Sequence, residues 1–332
     1  MTRELRQEKG LKNKLLFGSY EGLRFFLQVF LLALCILLAG SPLLVADPGP
    51  DYCETIDDAG RKVRVKSFPE RIVSLAPSNT EILFSIGLGE RVVGVTSYCN
   101  FPPDALVKEK IGGFGNPDIE KVISLCPDLL VADSLSDKKG IVRKLEKKGL
   151  SIIVLAPETL ADAIHTIRMV GTVTGKEKET ASLIGEMEAR IRTVTTLAGR
   201  IEPGGKPTVL YVAWHDPLWV AGSGIIINDL IEKAGGVNVA GDHKGWGILG
   251  LEEVLARNPS VIIVNNGHGN AKDLPLAWVK SEPRIGNVDA RKSGRVYQID
   301  ADLSGRFGPR IVEALEQFSR YFHPEAFEGD GT

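Results

Sequence analysis

The chain of 332 residues sets Lys+Arg 40 against Asp+Glu 42 for a formal charge of −2, and 43% of its residues are hydrophobic. This balance excludes a disordered chain and leaves no basic footprint for nucleic acid. The length exceeds what one hydrophobic core ordinarily supports, which predicts two lobes, each with its own core.

Residues 1–24 carry Arg3, Arg6, Lys9, Lys12, Lys14 and Arg24, and an apolar run from Phe25 to Ala39 follows. A basic flank before such a run is the pattern of a secretory signal. Gly40, Ser41 and Pro42 break the run before it resumes and ends at Ala46, so residues 1–46 read as a signal peptide cleaved after Ala46 or as an N-terminal membrane anchor. Either way the remainder is expected outside the cytoplasm, in a periplasm or its equivalent. Cys35 follows Leu34, a side chain too large for a lipoprotein cleavage box. Removal of the signal leaves Cys53, Cys99 and Cys126, which allows at most one disulfide, and no Cys/His spacing suggests zinc.

An N-terminal lobe is predicted over 52–157. Arg71 to Ala76 reads as a buried strand ended by Pro77, and Ser78 and Glu81 have the spacing of a capping box for a helix from Thr80 to Ile86 that stops at Gly87. Strands at Arg91 to Val95, Leu129 to Ala132 and Ile152 to Leu155 continue the strand, helix, strand grammar of a parallel sheet. Residues 158–205 are helical: Leu160, Ile164, Ile167 and Val170, then Ala181, Ile184, Met187 and Ile191, fall at spacings of three and four. Gly175 separates two helices, and the second, Lys176 to Ile201, would reach about 39 Å, enough to cross both lobes. A C-terminal lobe over 206–323 has strands at Thr208 to Val212, Val261 to Val264 and Val296 to Ile299, with helices beginning near Ile227, Leu251 and Pro309, and residues 324–332 form a flexible tail. The fold class is therefore α/β: two similar lobes with mostly parallel central sheets, joined by a long helix.

The lobes echo each other. Ile119-Glu120-Lys-Val122, Pro127 and the run Leu129 to Ala132 match Leu251-Glu252-Glu-Val254, Pro259 and Val261 to Val264, with equal spacing from glutamate to proline. A pair of such lobes holds its ligand in the crevice between them, at the strand ends.

No GxGxxG, GxxxxGK[ST], GxSxG or HExxH pattern is present, so neither nucleotide binding nor a marked nucleophile has support. The histidines are His165, His215, His243, His268 and His323, scattered so that a metal site would need convergence from both lobes. More informative are aromatic side chains in predicted loops at strand ends: Tyr98, Phe114, Trp214, Trp219 and Trp246. Rings placed there suit a broad, partly apolar ligand. Glu81 and Glu252 both fall at predicted helix starts, where the preference of carboxylates for a first turn already accounts for them.

With Arg71-Ile-Val-Ser-Leu-Ala-Pro-Ser-Asn-Thr-Glu-Ile-Leu83, Val93 to Tyr98, Phe101-Pro-Pro103, Pro127 to Val131, Gly235-Gly-Val-Asn238, Glu252 to Pro259 and Gly308 to Ile311, the chain resembles the periplasmic cobalamin and iron-siderophore receptors of ABC importers over about residues 68–322. The resemblance implies two lobes held by one rigid helix, a monomer without catalytic residues or resident cofactor or metal, and a transported metal chelate passed to the ABC permease transmembrane subunits. Cobalamin or another corrinoid is the first expectation, a ferric siderophore or haem the alternative. A bilobed α/β enzyme using the same crevice is the reading from a different class. The resemblance also implies ligand contacts at Tyr98, Phe114, Trp219 and Trp246, with Trp214 beside Ala213 and Asp133 standing where an aromatic is expected. Arg306 would face an anionic siderophore or propionate, or cap a loop, and His215 would approach a metal centre or serve as a loop hydrogen-bonding group. A glutamate on each lobe would pair with permease arginines; Glu81 and Glu252 match, with Glu253 adjacent.

Overall fold

The computed structural model describes residues 53–66, 68–266 and 274–327, so the expected signal or anchor at 1–46, His268 and the end of the expected tail lie outside the described residues. Among the described residues no helix is long and apolar enough to cross a membrane. The N-terminal lobe opens with an antiparallel hairpin, β1 (Cys53–Ile56) and β2 (Lys62–Val65). Then come β3 (Ile72–Ser74), α1 (Pro77–Ser85), β4 (Val92–Val95), a small hairpin of β5 (Gly112–Gly113) and β6 (Asn116–Pro117), α2 (Ile119–Ser124), β7 (Leu129–Asp133), α3 (Ser134–Lys138), α4 (Ile141–Glu146) and β8 (Ile152–Leu155). The sheet order is β4-β3-β7-β8, all parallel. Strands β3 and β8 are buried at every position, the reason they read as unbroken apolar runs rather than as alternation.

Two helices follow, α5 (Leu160–Thr174) and α6 (Glu177–Ala198). Thr159 and Asp162 form a capping box at the start of α5, and Gly175, at φ 66°, ends it in the left-handed conformation that glycine adopts without strain. With 22 residues, α6 is about 33 Å long, shorter than the spacing of apolar residues predicted. The second lobe comprises β9 (Thr208–His215), β10 (Leu218–Ala221), α7 (Ile226–Lys233), β11 (Val237–Asn238), β12 (Trp246–Ile248), α8 (Leu251–Arg257), β13 (Val261–Asn265), α9 (Leu274–Ser281), α10 (Asp289–Lys292), β14 (Val296–Ile299), α11 (Ala301–Gly305) and α12 (Ile311–Phe322). Its sheet runs β12-β10-β9-β13-β14, with β11 also on β9; β9, β13 and β14 are parallel, and β10 and β12 antiparallel. Arg190 on α6 forks onto Glu316 on α12, Nε to Oε1 at 2.8 Å and Nη2 to Oε2 at 2.7 Å, which ties the connecting helix to this lobe.

The core differs from the expectation of two separate ones. One apolar cluster runs from Ile72 and Leu83 through Ile167, Ile184 and Met187 to Ile227 and Phe318, joining both lobes through α5 and α6, while smaller clusters around Leu130 and around Val264 lie apart from it. Burying α6 on that shared cluster makes the connector part of the hydrophobic core, which resists hinge bending.

His323, next to α12, is 4% exposed, with Nε2 3.1 Å from the Ala234 carbonyl. Burial lowers its pKa, against the opposing pull of that carbonyl. A histidine whose native pKa lies below the unfolded value contributes stability that is present above about pH 6.5 and lost as the pH falls. The melting temperature should therefore drop between about pH 6.5 and 5 in the native chain and drop less in His323→Gln; equal slopes by calorimetry would remove His323 from the acid response.

Candidate functional site

The carboxyl ends of the strands from both lobes converge on a trench. One cavity of ≈ 560 Å³ is walled by Pro77 and Ser78 after β3, Asp133 at the end of β7, Ala156 after β8, and Asp302 and Arg306 from the other lobe. A second cavity of ≈ 580 Å³ lies against Ala213 and Trp214 of β9, Trp219 of β10 and Trp246 of β12. Pro157, Ala301, Gly305 and Phe307 line both, so the two cavities are neighbouring halves of one trench.

The five sequence-predicted rings are all placed on it. Tyr98 and Phe114 line the first cavity; Phe114 sits in the turn between β5 and β6. Trp214, Trp219 and Trp246 line the second, and they do so from strands β9, β10 and β12 rather than from the loops expected of them. Trp219 pairs with Trp214 across β9 and β10 and with Ile248 across β10 and β12, so these side chains share one sheet face. Trp246 follows two residues before Ile248 and extends that face. Tyr98 is 61%, Trp246 46% and Trp219 39% exposed, which separates them from residues that seal a core. Asp133 is held as a helix cap, accepting from the Leu135 and Ser136 amides at 3.2 Å. His215 lies 4.7 Å from the Trp214 ring and lines neither cavity.

Two assignments need correction. Glu81 is 1% exposed: its Oε1 accepts from Arg306 Nη1 at 2.9 Å and Arg310 Nη2 at 2.7 Å, and its Oε2 from Arg310 Nε at 3.0 Å. It therefore offers no surface charge for docking, and the carboxylate bridges the lobes instead. Nor does the predicted capping box form, because α1 begins at Pro77 with no side-chain cap from Ala76, and Ser78 Oγ accepts from Phe307 N at 3.2 Å across the trench. Proline at the first helical position suits a turn whose amides have no helical partner anyway. Arg306, expected to face an anion or cap a loop, lines the first cavity but is 8% exposed and engaged by the protein: besides Glu81 it donates from Nη1 to Asn100 Oδ1 at 2.7 Å and from Nη2 to the Tyr98 carbonyl at 3.3 Å, and pairs with Asp302 at 2.8 Å. Asn100 Nδ2 donates to Asp302 Oδ2 at 2.8 Å, another tie between lobes. Gly308 makes this packing possible, since a Cβ there would come within 3.1 Å of Glu81.

Sequence reasoning missed Phe307, which faces both cavities, and Tyr211, which lines the second and whose hydroxyl lies 3.0 Å from Ser304 Oγ. Burial pushes the Tyr211 pKa up to about 12, so it stays a neutral phenol. Phe307 had a signal, its place in Ser304-Gly-Arg-Phe-Gly-Pro309; Tyr211 looked like any buried strand residue. Among the described residues Cys53, Cys99 and Cys126 are free thiols, and no three His, Cys, Asp or Glu side chains gather as a metal site.

Residues 72–303 match the sequence model of a family described as periplasmic binding protein. An ABC transporter substrate-binding lipoprotein of Bacillus subtilis is 31% identical over 279 residues, covering 82% of this chain and 87% of its own. A vitamin B12-binding protein of Vibrio cholerae is 27% identical over 263 residues, 77% and 90% of the two chains. Among solved structures, a periplasmic haem-binding protein of Roseiflexus superposes with a TM-score of 0.68 at 28% identity, covering 77% of this chain and 99% of that one. The vitamin B12-binding protein of Vibrio cholerae gives 0.66 at 25%, covering 76% and 96%.

Proposed function

The chain belongs to the periplasmic binding protein family, as a substrate-binding protein of ABC-type importers, and from that premise we propose that it captures a corrinoid in the trench and delivers it to the permease. The observation that carries this reading is the confrontation of Tyr98 and Phe114 on one lobe with Trp214, Trp219 and Trp246 on the other. Flat, partly apolar walls on both sides of one opening suit a broad ring system presented edge-in or face-on. A relative named for vitamin B12 supports the choice.

Isothermal calorimetry with cyanocobalamin, haemin and a ferric hydroxamate siderophore separates the candidates. We expect one saturable, stoichiometric site for cyanocobalamin, and a loss of at least tenfold in affinity for Trp219→Ala, about 1.4 kcal/mol. Tighter binding of either iron compound overturns the corrinoid, and product formation from any of them overturns capture without chemistry.

Docking on the permease requires exposed charge on both lobes. Glu252 is exposed in the first turn of α8, and its counterpart in the internal echo is Glu120, exposed in the first turn of α2. Both helices precede a central strand of their lobe, β7 and β13. In place of the buried Glu81, Glu120 is thus the N-terminal partner of Glu252 in this reading. Rim charges of this kind orient and accelerate encounter more than they add affinity.

A further inference from the structure

We propose that the trench refuses anionic ligands, and that Glu81 and Asp302 are the specificity-determining residues that make it do so. This rests on the reading of the trench as the ligand site and adds the charge class of what it accepts. Among the described residues the charged side chains lining the two cavities are Asp133, Glu158, Asp302 and Arg306. The one guanidinium in that set is the group an anion would seek. Its terminal nitrogens are already engaged, Nη1 by Glu81 and Asn100, and Nη2 by Asp302 and the Tyr98 carbonyl. Glu81 also engages Arg310 through both of its oxygens, and that guanidinium is stacked 3.8 Å from the Phe101 ring centroid.

The charges in and under the trench therefore balance between Glu81 and Asp302 on one side and Arg306 and Arg310 on the other. Asp133 and Glu158 stand outside that balance, with no ion-pair partner among the described residues. A ligand carboxylate entering here would lose its water, find no unengaged cation, and face two carboxylates without a cationic partner, Asp133 bound to the Leu135 and Ser136 amides and Glu158 exposed. An amide in the same place has N–H groups to give to those carboxylates. Rejection by arranged repulsion and by the prior engagement of a cation is as much a source of selectivity as attraction is.

The test holds shape constant and changes charge. Cyanocobalamin is compared with its monocarboxylic acids, in which one side-chain amide has been hydrolysed, and haemin with its dimethyl ester, all by calorimetry at pH 7. The native chain should bind the amide at least tenfold more tightly than the acid, and the ester more tightly than free haemin. Glu81→Gln should narrow the amide-to-acid ratio at least threefold by strengthening the acid, because Arg306 and Arg310 then share one carboxylate fewer and the floor of the trench gains net positive charge. Asp302→Asn should do the same; the Asp302 side chain is 28% exposed, so this variant keeps the question answerable where Glu81→Gln fails to fold. Equal affinities for both members of a pair in the native chain, or ratios unmoved in a folded variant, overturn the proposal. Binding of the haemin pair alone removes the corrinoid but leaves charge selection standing or falling on the ester comparison.

Discussion

Glu81→Ala is expected to destabilise the protein by about 3–5 kcal/mol, the size of effect seen when one partner of a buried ion pair is removed and the other is stranded. The magnitude follows from the geometry. Glu81 is 1% exposed and Arg306 8%, and deleting the carboxylate takes three hydrogen bonds from two guanidiniums at once. The loss is much larger than at exposed pairs such as Glu54 with Lys62 and Arg64, where about 0–1 kcal/mol is usual. Urea denaturation followed by far-UV circular dichroism measures it. Adding Arg310→Met to Glu81→Ala should recover a substantial part, because Arg310 has Glu81 as its ion-pair partner and an apolar side chain removes the charge left behind, whereas Arg306 keeps Asp302. A loss below about 1 kcal/mol for the single variant would mean that water reaches the cluster and that the lobes are not tied there.

Glu120→Lys combined with Glu252→Lys should reduce ligand import at least tenfold while leaving solution affinity for cyanocobalamin within about twofold. The reasoning is positional: both carboxylates are exposed, both sit at helix starts related by the internal echo, and neither lines the trench. Steering by rim charges acts on encounter, so the defect should appear in uptake by cells or proteoliposomes and grow as salt is lowered, when like charges repel over a longer range. Glu253 is a poor substitute for Glu252. Its carboxylate accepts from the Gly250 amide at 3.1 Å and from Arg257 at 3.2 Å, and the Gly250 N–H, opposed by partial burial and aided by Arg257, holds its pKa below the usual range. Normal import by the double variant, or a collapse of affinity in solution, would move the docking face elsewhere.

The architecture was legible because parallel strands announce themselves as short apolar runs. Ile152 to Leu155 and Val261 to Val264 could be placed by that signal alone, and the gap at Gly175 by its lack of a side chain. The rings were legible in part: Tyr98 and Phe114 do stand among turn residues, whereas Trp214, Trp219 and Trp246, expected in loops, lie on strands β9, β10 and β12. Glu81 was not. A glutamate at an expected helix start has a sufficient local explanation, but α1 begins at Pro77 and carries Glu81 past its first turn, and its actual partners, Arg306 and Arg310, lie more than two hundred residues away in the chain, as the 225-residue separation from Arg306 shows. Nothing local distinguishes an acid that will be exposed from one that will be buried against two bases. The same limit applies to Arg306, whose engagement by four groups is a property of the assembled lobes.

All four tryptophans, Trp214, Trp219, Trp246 and Trp278, belong to the second lobe, and three of them line one wall of the trench. The molecule thus carries a built-in optical gauge on a single side. Quenching of its emission reads contact with that wall directly, whereas loosening of the first lobe, which has only tyrosine and phenylalanine to report on it, would pass nearly in the dark.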